Sequence, residues 1–204
     1  MIAYASRTGT RRHLRALAAA GWRLFVSASA AHLQSEGFPY ALDNGAWHAF
    51  QNGSPHLDEA RFAFALAKLG AGADFVVVPD IVAGGAASLA LSRRWLPRVL
   101  DQTQRALVAV QDGIMPADIR DLVGERVGIF IGGTTEWKEQ SLPIWGELRR
   151  AAGCYLHVGR VNSARRIALC AAAAAHSFDG SGVSAHLEKL PRLENARRQP
   201  DLFA

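Results

Sequence analysis

Three carboxylates, one amide and a glycine pair draw attention because each closes a short, largely apolar run. Asp43 follows Tyr40-Ala41-Leu42, and Asp80 follows Val76-Val77-Val78-Pro79. Gln111 follows residues 106–110, Gly132 and Gly133 follow residues 127–131, and Asp179 follows His176-Ser177-Phe178. Paired carboxylates suit glycosidic chemistry, in which one attacks or stabilises the anomeric carbon while another shuttles the proton. An amide and a third carboxylate can hydrogen-bond a planar base that carries donors and acceptors. Each residue taken alone also has an ordinary structural role. Asp43-Asn44-Gly45 and Gln111-Asp112-Gly113 can be turns. Asp80 can cap a helix or form an Asx-turn, and Asp179 can cap a helical segment beginning near Ser184. Gly132-Gly133 can be a tight turn or a close approach of backbone to a ligand. The set gains force only if the fold gathers it at one mouth.

The elements that would do so alternate. Residues 2–5, 23–27, 40–42, 74–78, 106–110, 127–131, 155–158 and 176–178 read as strands, mostly β-branched or aromatic runs bounded by turn residues. Helical patterns lie between most of them: 11–20, 57–69, 86–100, 116–123, 137–152 and the alanine-rich 164–175. The stretch from 27 to 40 is the weakest helical pattern. Eight strands alternating with helices predict an α/β fold, a compact (β/α)8 TIM-like barrel, with an open doubly wound sheet as the alternative. The strand ends favour the barrel, since nearly all are polar or glycine: Ser6, Ser27, Asp43, Asp80, Gln111, Gly132, Gly159 and Asp179. Barrel enzymes draw their sites from the C-terminal ends of several strands.

The 204 residues suit a single domain, with 185–204 as a C-terminal helical segment and tail. No apolar run approaches a membrane span and the N-terminus does not read as a signal peptide, so no membrane association is expected. Two cysteines without a CxxC spacing argue against a disulfide framework and for a reducing, cytoplasmic compartment. The net charge is +5, and only Lys68, Lys138 and Lys189 among the basic residues are lysines. Arginine forks match phosphate, which suits a nucleic-acid partner; an arginine-rich composition inherited from GC-rich codons explains the charge equally well.

The ordered segments Leu42-Asp43-Asn44-Gly45-Ala46-Trp47, Pro79-Asp80, Val110-Gln111-Asp112-Gly113, Ile131-Gly132-Gly133, Tyr155-Leu156-His157-Val158-Gly159 and Phe178-Asp179 resemble the motif series of the tRNA-guanine transglycosylase superfamily. The resemblance spans roughly residues 40 to 183. It implies that Asp179 attacks C1′ of a nucleotide and expels guanine, leaving a covalent glycosyl-enzyme intermediate. Asp43 would be the general acid/base. Asp80 and Gln111 would bind the base edge, with backbone contacts from Gly132 and Gly133 and with Gly159 lining the pocket. The incoming base would be a 7-deazaguanine, and no redox or nucleotide cofactor is implied. The chain departs from the tRNA enzymes in four ways. It lacks their three-Cys, one-His zinc cluster, so no metal is expected. It carries Asp112 in place of a glycine. Its acidic residue after the glycine pair, Glu136, comes earlier. It has no RNA-binding appendage. In these respects it resembles the compact DpdA-type branch associated with 7-deazaguanine modification of DNA.

That resemblance puts DNA ahead of tRNA as the partner. Arg7, Arg11 and Arg160 lie near strand ends where they could touch phosphates, whereas Arg93 and Arg94 read as solvated helix faces. Trp47 could stack on a base or belong to the core. A target in a duplex would have to be flipped out. The tail Gln199-Pro200-Asp201-Leu202-Phe203 resembles the short peptide with which bacterial replication proteins dock on the sliding clamp, although an apolar tail packed on the barrel or left unstructured explains it more simply. Three alternatives stand beside DNA base exchange: exchange in tRNA, a nucleoside or nucleotide glycosyl hydrolase, and a non-catalytic nucleic-acid-binding barrel.

Overall fold

The computed structural model describes residues 1–54 and 56–199. Eight strands form a closed parallel barrel in chain order: β1 (Ile2–Ser6), β2 (Arg23–Ser27), β3 (Tyr40–Asp43), β4 (Val76–Val77), β5 (Ala106–Val110), β6 (Val127–Ile131), β7 (Leu156–Val158) and β8 (Ser177–Gly180). β8 closes the ring on β1, with Tyr4 opposite Asp179. The helices are α1 (Arg11–Ala19), α2 (Ala46–Gln51), α3 (Glu59–Leu69), α4 (Gly85–Leu100), α5 (Pro116–Ile119), α6 (Thr135–Ala152), α7 (Ala164–Ala172), α8 (Gly182–Ala185) and α9 (Leu190–Arg198). The expected (β/α)8 barrel is therefore the fold. Parallel strands need crossovers, and the helices that supply them cover the sheet's outer face.

Capping explains several of the helix starts. Asp58 accepts the Arg61 amide at 2.9 Å, and Thr134 and Ser163 accept the Trp137 and Arg166 amides. α6 stops at Gly153, whose φ of 62° is left-handed. Two apolar layers result. The larger lies between the sheet and the helices. The smaller fills the barrel with Tyr4, Phe25, Ala41, Phe75, Val77 and Leu107, joined by Phe130 and Tyr155. Most of its aromatic rings meet edge-on or tilted, as Tyr4–Phe75 do at 5.4 Å, while Phe25 and Phe130 stack at 6.2 Å. Below them Asp74 accepts hydrogen bonds from Tyr4 Oη at 2.9 Å and Arg23 Nη1 at 2.7 Å.

The inward period of two explains what reaches the mouth. From Ala41 it leads to Asp43, from Leu107 to Gln111, from Phe130 to Gly132, and from Ser177 to Asp179.

Three expectations are corrected. Residues 27–40 contain no helix. Ser27 Oγ bonds Ser29 Oγ at 2.8 Å, offering the chain an alternative to helical pairing. Arg61 then holds the segment in place, its Nε donating to the Ala28 carbonyl at 3.2 Å. Secondly, Asn44-Gly45 does not simply turn the chain but starts the short helix α2, with Gly45 at φ 87°. Thirdly, Asp179 is the penultimate residue of β8 and not its end, because pairing with β1 continues to Ala5↔Gly180. Of the clamp-like tail, residues 200–204 lie outside the described residues. No helix among the described residues is long and apolar enough to cross a membrane.

Candidate active site

Asp43 closes β3 with its Oδ2 accepting the Gly45 amide at 3.2 Å. Burial pushes its carboxyl up to about 7. A hydrogen bond from the Ser27 hydroxyl opposes the rise, and the nearby charges of Asp179 and Asp80 add to it. Asp43 can therefore hold a proton near neutrality and also release it, as a general acid/base must.

Asp80 lies one position past the inward register of β4 and is drawn into the mouth by two amides. Asn44 Nδ2 donates to its Oδ1 at 2.7 Å, and Gln111 Nε2 donates to its Oδ2. Asn44 also bonds the Val78 carbonyl at 2.8 Å, and its Oδ1 accepts the Ala46 amide. Gln111 Nε2 also reaches the Ile81 carbonyl at 3.1 Å, and its Oε1 accepts the Ala83 amide at 2.6 Å. Burial raises Asp80 to about 6 against these two donors. With both amide groups fixed on protein acceptors, what this cluster offers a ligand is carboxylate and carbonyl lone pairs.

Asp179, on β8, is buried. His157 Nε2 stands 2.9 Å from its Oδ1, and the Arg160 backbone N–H donates to its Oδ2 at 3.3 Å. The other nitrogen of His157, Nδ1, lies 2.7 Å from Ser177 Oγ. Arg160 is left-handed at φ 59°, and Ala83, which serves Gln111, at φ 58°. Two of the non-glycine residues in that disfavoured region thus aim amides into this site, where strained backbone tends to gather.

The rim is built by glycines and one arginine. Gly133 has φ 74°, and a Cβ there would sit 2.5 Å from Asp112 Oδ2 and 2.8 Å from the Trp137 ring. Asp112 in turn takes the Thr134 amide at 2.7 Å and its hydroxyl at 2.6 Å, fixing the start of α6. Although burial works against its charge, the Thr134 bonds hold the Asp112 carboxyl below the ordinary range. The Arg160 guanidinium lies 4.2 Å from the Trp47 ring centroid and donates to the Gly133 carbonyl, so it ties the ends of β3, β6 and β7 together. Trp47 is exposed and stacks on exposed Phe50 with centroids 5.6 Å apart. It is thus a rim residue, not a core aromatic.

Asp43, Asp80, Gln111, Gly133, Trp47, Arg160 and Asp179 meet at this mouth. The other four predicted residues are placed differently. The Gly132 amide is engaged by the Val110 carbonyl at 2.8 Å. At Gly159 the amide bonds Ile131 and the carbonyl accepts Lys138 Nζ at 2.6 Å, while a Cβ would stand 2.7 Å from the Phe130 ring; its role is to spare space. Arg7 is ion-paired with Glu36 instead of standing free for phosphate. Arg11 is exposed on the first turn of α1. Asn44, His157, Ser177 and Lys138 were not foreseen. Burial, followed by the Arg160 charge, lowers the Lys138 ammonium to about 8. The missed sign of His157 was its place in Tyr155–Gly159, inward with the strand-end glycine and flanked by apolar neighbours. Among the described residues, no group of three or more His, Cys, Asp and Glu side chains could hold a metal ion. No family model and no curated protein matches this chain.

Proposed function

We propose that the protein is a guanine transglycosylase that exchanges guanine in DNA for a 7-deazaguanine through a covalent Asp179–glycosyl intermediate. The observation that carries this is the contrast between two carboxyls in one mouth. Asp43 holds a proton up to about 7, while Asp179 is met by the Arg160 amide and the His157 ring. Differing environments of this kind support a division of labour between acid and nucleophile. In the first half-reaction an Asp179 oxygen bonds to C1′. The glycosidic bond breaks with its electron pair going to guanine, which takes the Asp43 proton. In the second, Asp43 accepts a proton from the incoming base, whose nitrogen bonds C1′ as the carboxylate leaves.

The Asp80–Gln111 cluster supports the choice of base. It presents acceptors, and the Watson–Crick edge of guanine and of 7-deazaguanine carries adjacent N–H donors. A polymeric substrate is supported by the net charge of +5 and by the Arg160–Trp47 rim. Extrusion of the target nucleotide is then required in a duplex.

The test is to incubate the protein with single-stranded DNA, duplex DNA and tRNA, each with a labelled 7-deazaguanine, and to separate denatured products. The expected result is label in DNA and a denaturation-resistant protein–DNA adduct lost in Asp179→Ala. Label in tRNA alone overturns the choice of polymer. Base release from free nucleosides, with no adduct on any polymer, replaces base exchange by nucleoside hydrolysis.

A further inference from the structure

His157 has no part in the chemistry above, yet it touches the proposed nucleophile. Its ring is fully buried inside the barrel. Phe130 stacks on it at 5.1 Å and 17°, and Phe25 at 5.6 Å and 25°. Phe75 and Tyr4 close its edges at 5.0 and 5.8 Å. These walls fix the plane of the ring, and its polar partners select the orientation within that plane. Strand register supplies its partners: His157 pairs with Ser177 across β7 and β8, and Ser177 and Asp179 share the inward face. A chain Ser177 Oγ–His157–Asp179 Oδ1 therefore runs up the barrel wall, with links of 2.7 and 2.9 Å.

We infer that His157 is a positioning residue for Asp179, held by Ser177 as the Nε2–H tautomer, and that its hydrogen bond speeds release of the covalent intermediate. This rests on Asp179 being the nucleophile. An ionised Asp179 can only accept, so the proton shared with Oδ1 sits on Nε2, and the bare Nδ1 of that tautomer takes the Ser177 hydroxyl proton. That bond is strongest when Asp179 is a full carboxylate and weakest when the carboxyl is an ester to C1′. It therefore favours the departing carboxylate over the glycosyl ester. Oδ2, held only by the longer Arg160 amide contact, is the oxygen left to attack C1′. In the return step the C1′–Oδ2 bond breaks, its electron pair stays on the carboxylate, and His157 keeps its proton throughout.

The direction of this effect separates it from a structural role. In His157→Phe a ring of similar shape stays in the aromatic cage but the donor is lost. Turnover is expected to fall on the order of 10²-fold, while the fraction of enzyme trapped as adduct rises, because ester breakdown slows more than ester formation. His157→Gln, which restores an N–H donor, should recover part of the turnover and lower the adduct again. Ser177→Ala should slow turnover by about tenfold or less. If adduct and turnover fall together in His157→Phe while His157→Gln folds and gains nothing, the inference is wrong.

Nitrogen-15 spectra of imidazole-labelled protein test the tautomer without substrate. Wild type should show His157 with its proton on Nε2, and Ser177→Ala should shift that population. An Nδ1–H tautomer in wild type overturns the inference. Absence of any adduct in wild type overturns the transglycosylase reading instead, and leaves the tautomer test valid.

Discussion

Replacing Asp43 by asparagine removes the carboxyl's charge and keeps its shape. The folded protein raises Asp43 from 3.8 to about 7. Between those values the folded state holds a proton that the unfolded chain has released, so stability falls as pH rises through this window and the penalty is complete above pH 7. A rise of about three pH units corresponds to ~4 kcal/mol at about 1.36 kcal/mol each. Water reaching the half-buried side chain brings this to about 2 kcal/mol. Asp43→Asn keeps an acceptor for the Gly45 amide and the Ser27 hydroxyl and has no proton to lose. Urea unfolding of both proteins at steps from pH 4 to 8.5 gives the comparison. Asp80 contributes a slope of the same sign in both, so the difference between the curves reads Asp43 together with its coupling to Asp80 and Asp179. The variant should gain about 2 kcal/mol on wild type across the window, and lose at least about 10²-fold in base exchange at every pH. Parallel stability curves would refute the claim that the fold opposes ionisation of Asp43, and with it the basis for making Asp43 the acid.

Gln111→Ala leaves the Ala83 amide and one Asp80 oxygen without partners, and should destabilise the fold by about 1–3 kcal/mol in chemical denaturation. Gly133→Ala forces a Cβ to within 2.5 Å of Asp112 Oδ2 at φ 74°; it should lower stability by about 1–3 kcal/mol and weaken the start of α6, read by thermal unfolding and helical circular dichroism. Trp47→Ala should weaken single-stranded DNA binding by about 1–3 kcal/mol with little change in salt dependence. Arg160→Gln should instead flatten the log Kd against log salt slope by about one, in fluorescence anisotropy titrations.

The barrel was legible because its strands are short apolar runs with inward side chains two apart, and that same period delivers Asp43, Gln111 and Asp179 to the mouth. Asp80 follows a proline and does not obey the period; its place depends on Asn44 and Gln111, contacts 36 and 31 residues away in sequence. The helix pattern in 27–40 failed because serine hydroxyls and the distant Arg61 satisfy that backbone in another way. His157 was overlooked because a buried histidine acquires meaning only from its cross-strand neighbours, and strand register is not written in either strand alone. The ion pair of Arg7 is hidden from the sequence for the same reason: Glu36, its partner, lies in a loop with no periodic pattern.

The interior of the barrel is solid beneath the carboxylates, from the Phe25, Phe75 and Phe130 layer to the Tyr4–Asp74–Arg23 plug. The vessel is blind-ended. Under the proposed exchange, the departing base and the incoming base must pass through the same opening, in turn, while the sugar stays anchored to the wall. The order of events is then set by architecture: the first product has to clear the doorway before the second substrate enters. Steady-state plots at fixed levels of each substrate should be parallel lines, with free guanine competing directly against the 7-deazaguanine.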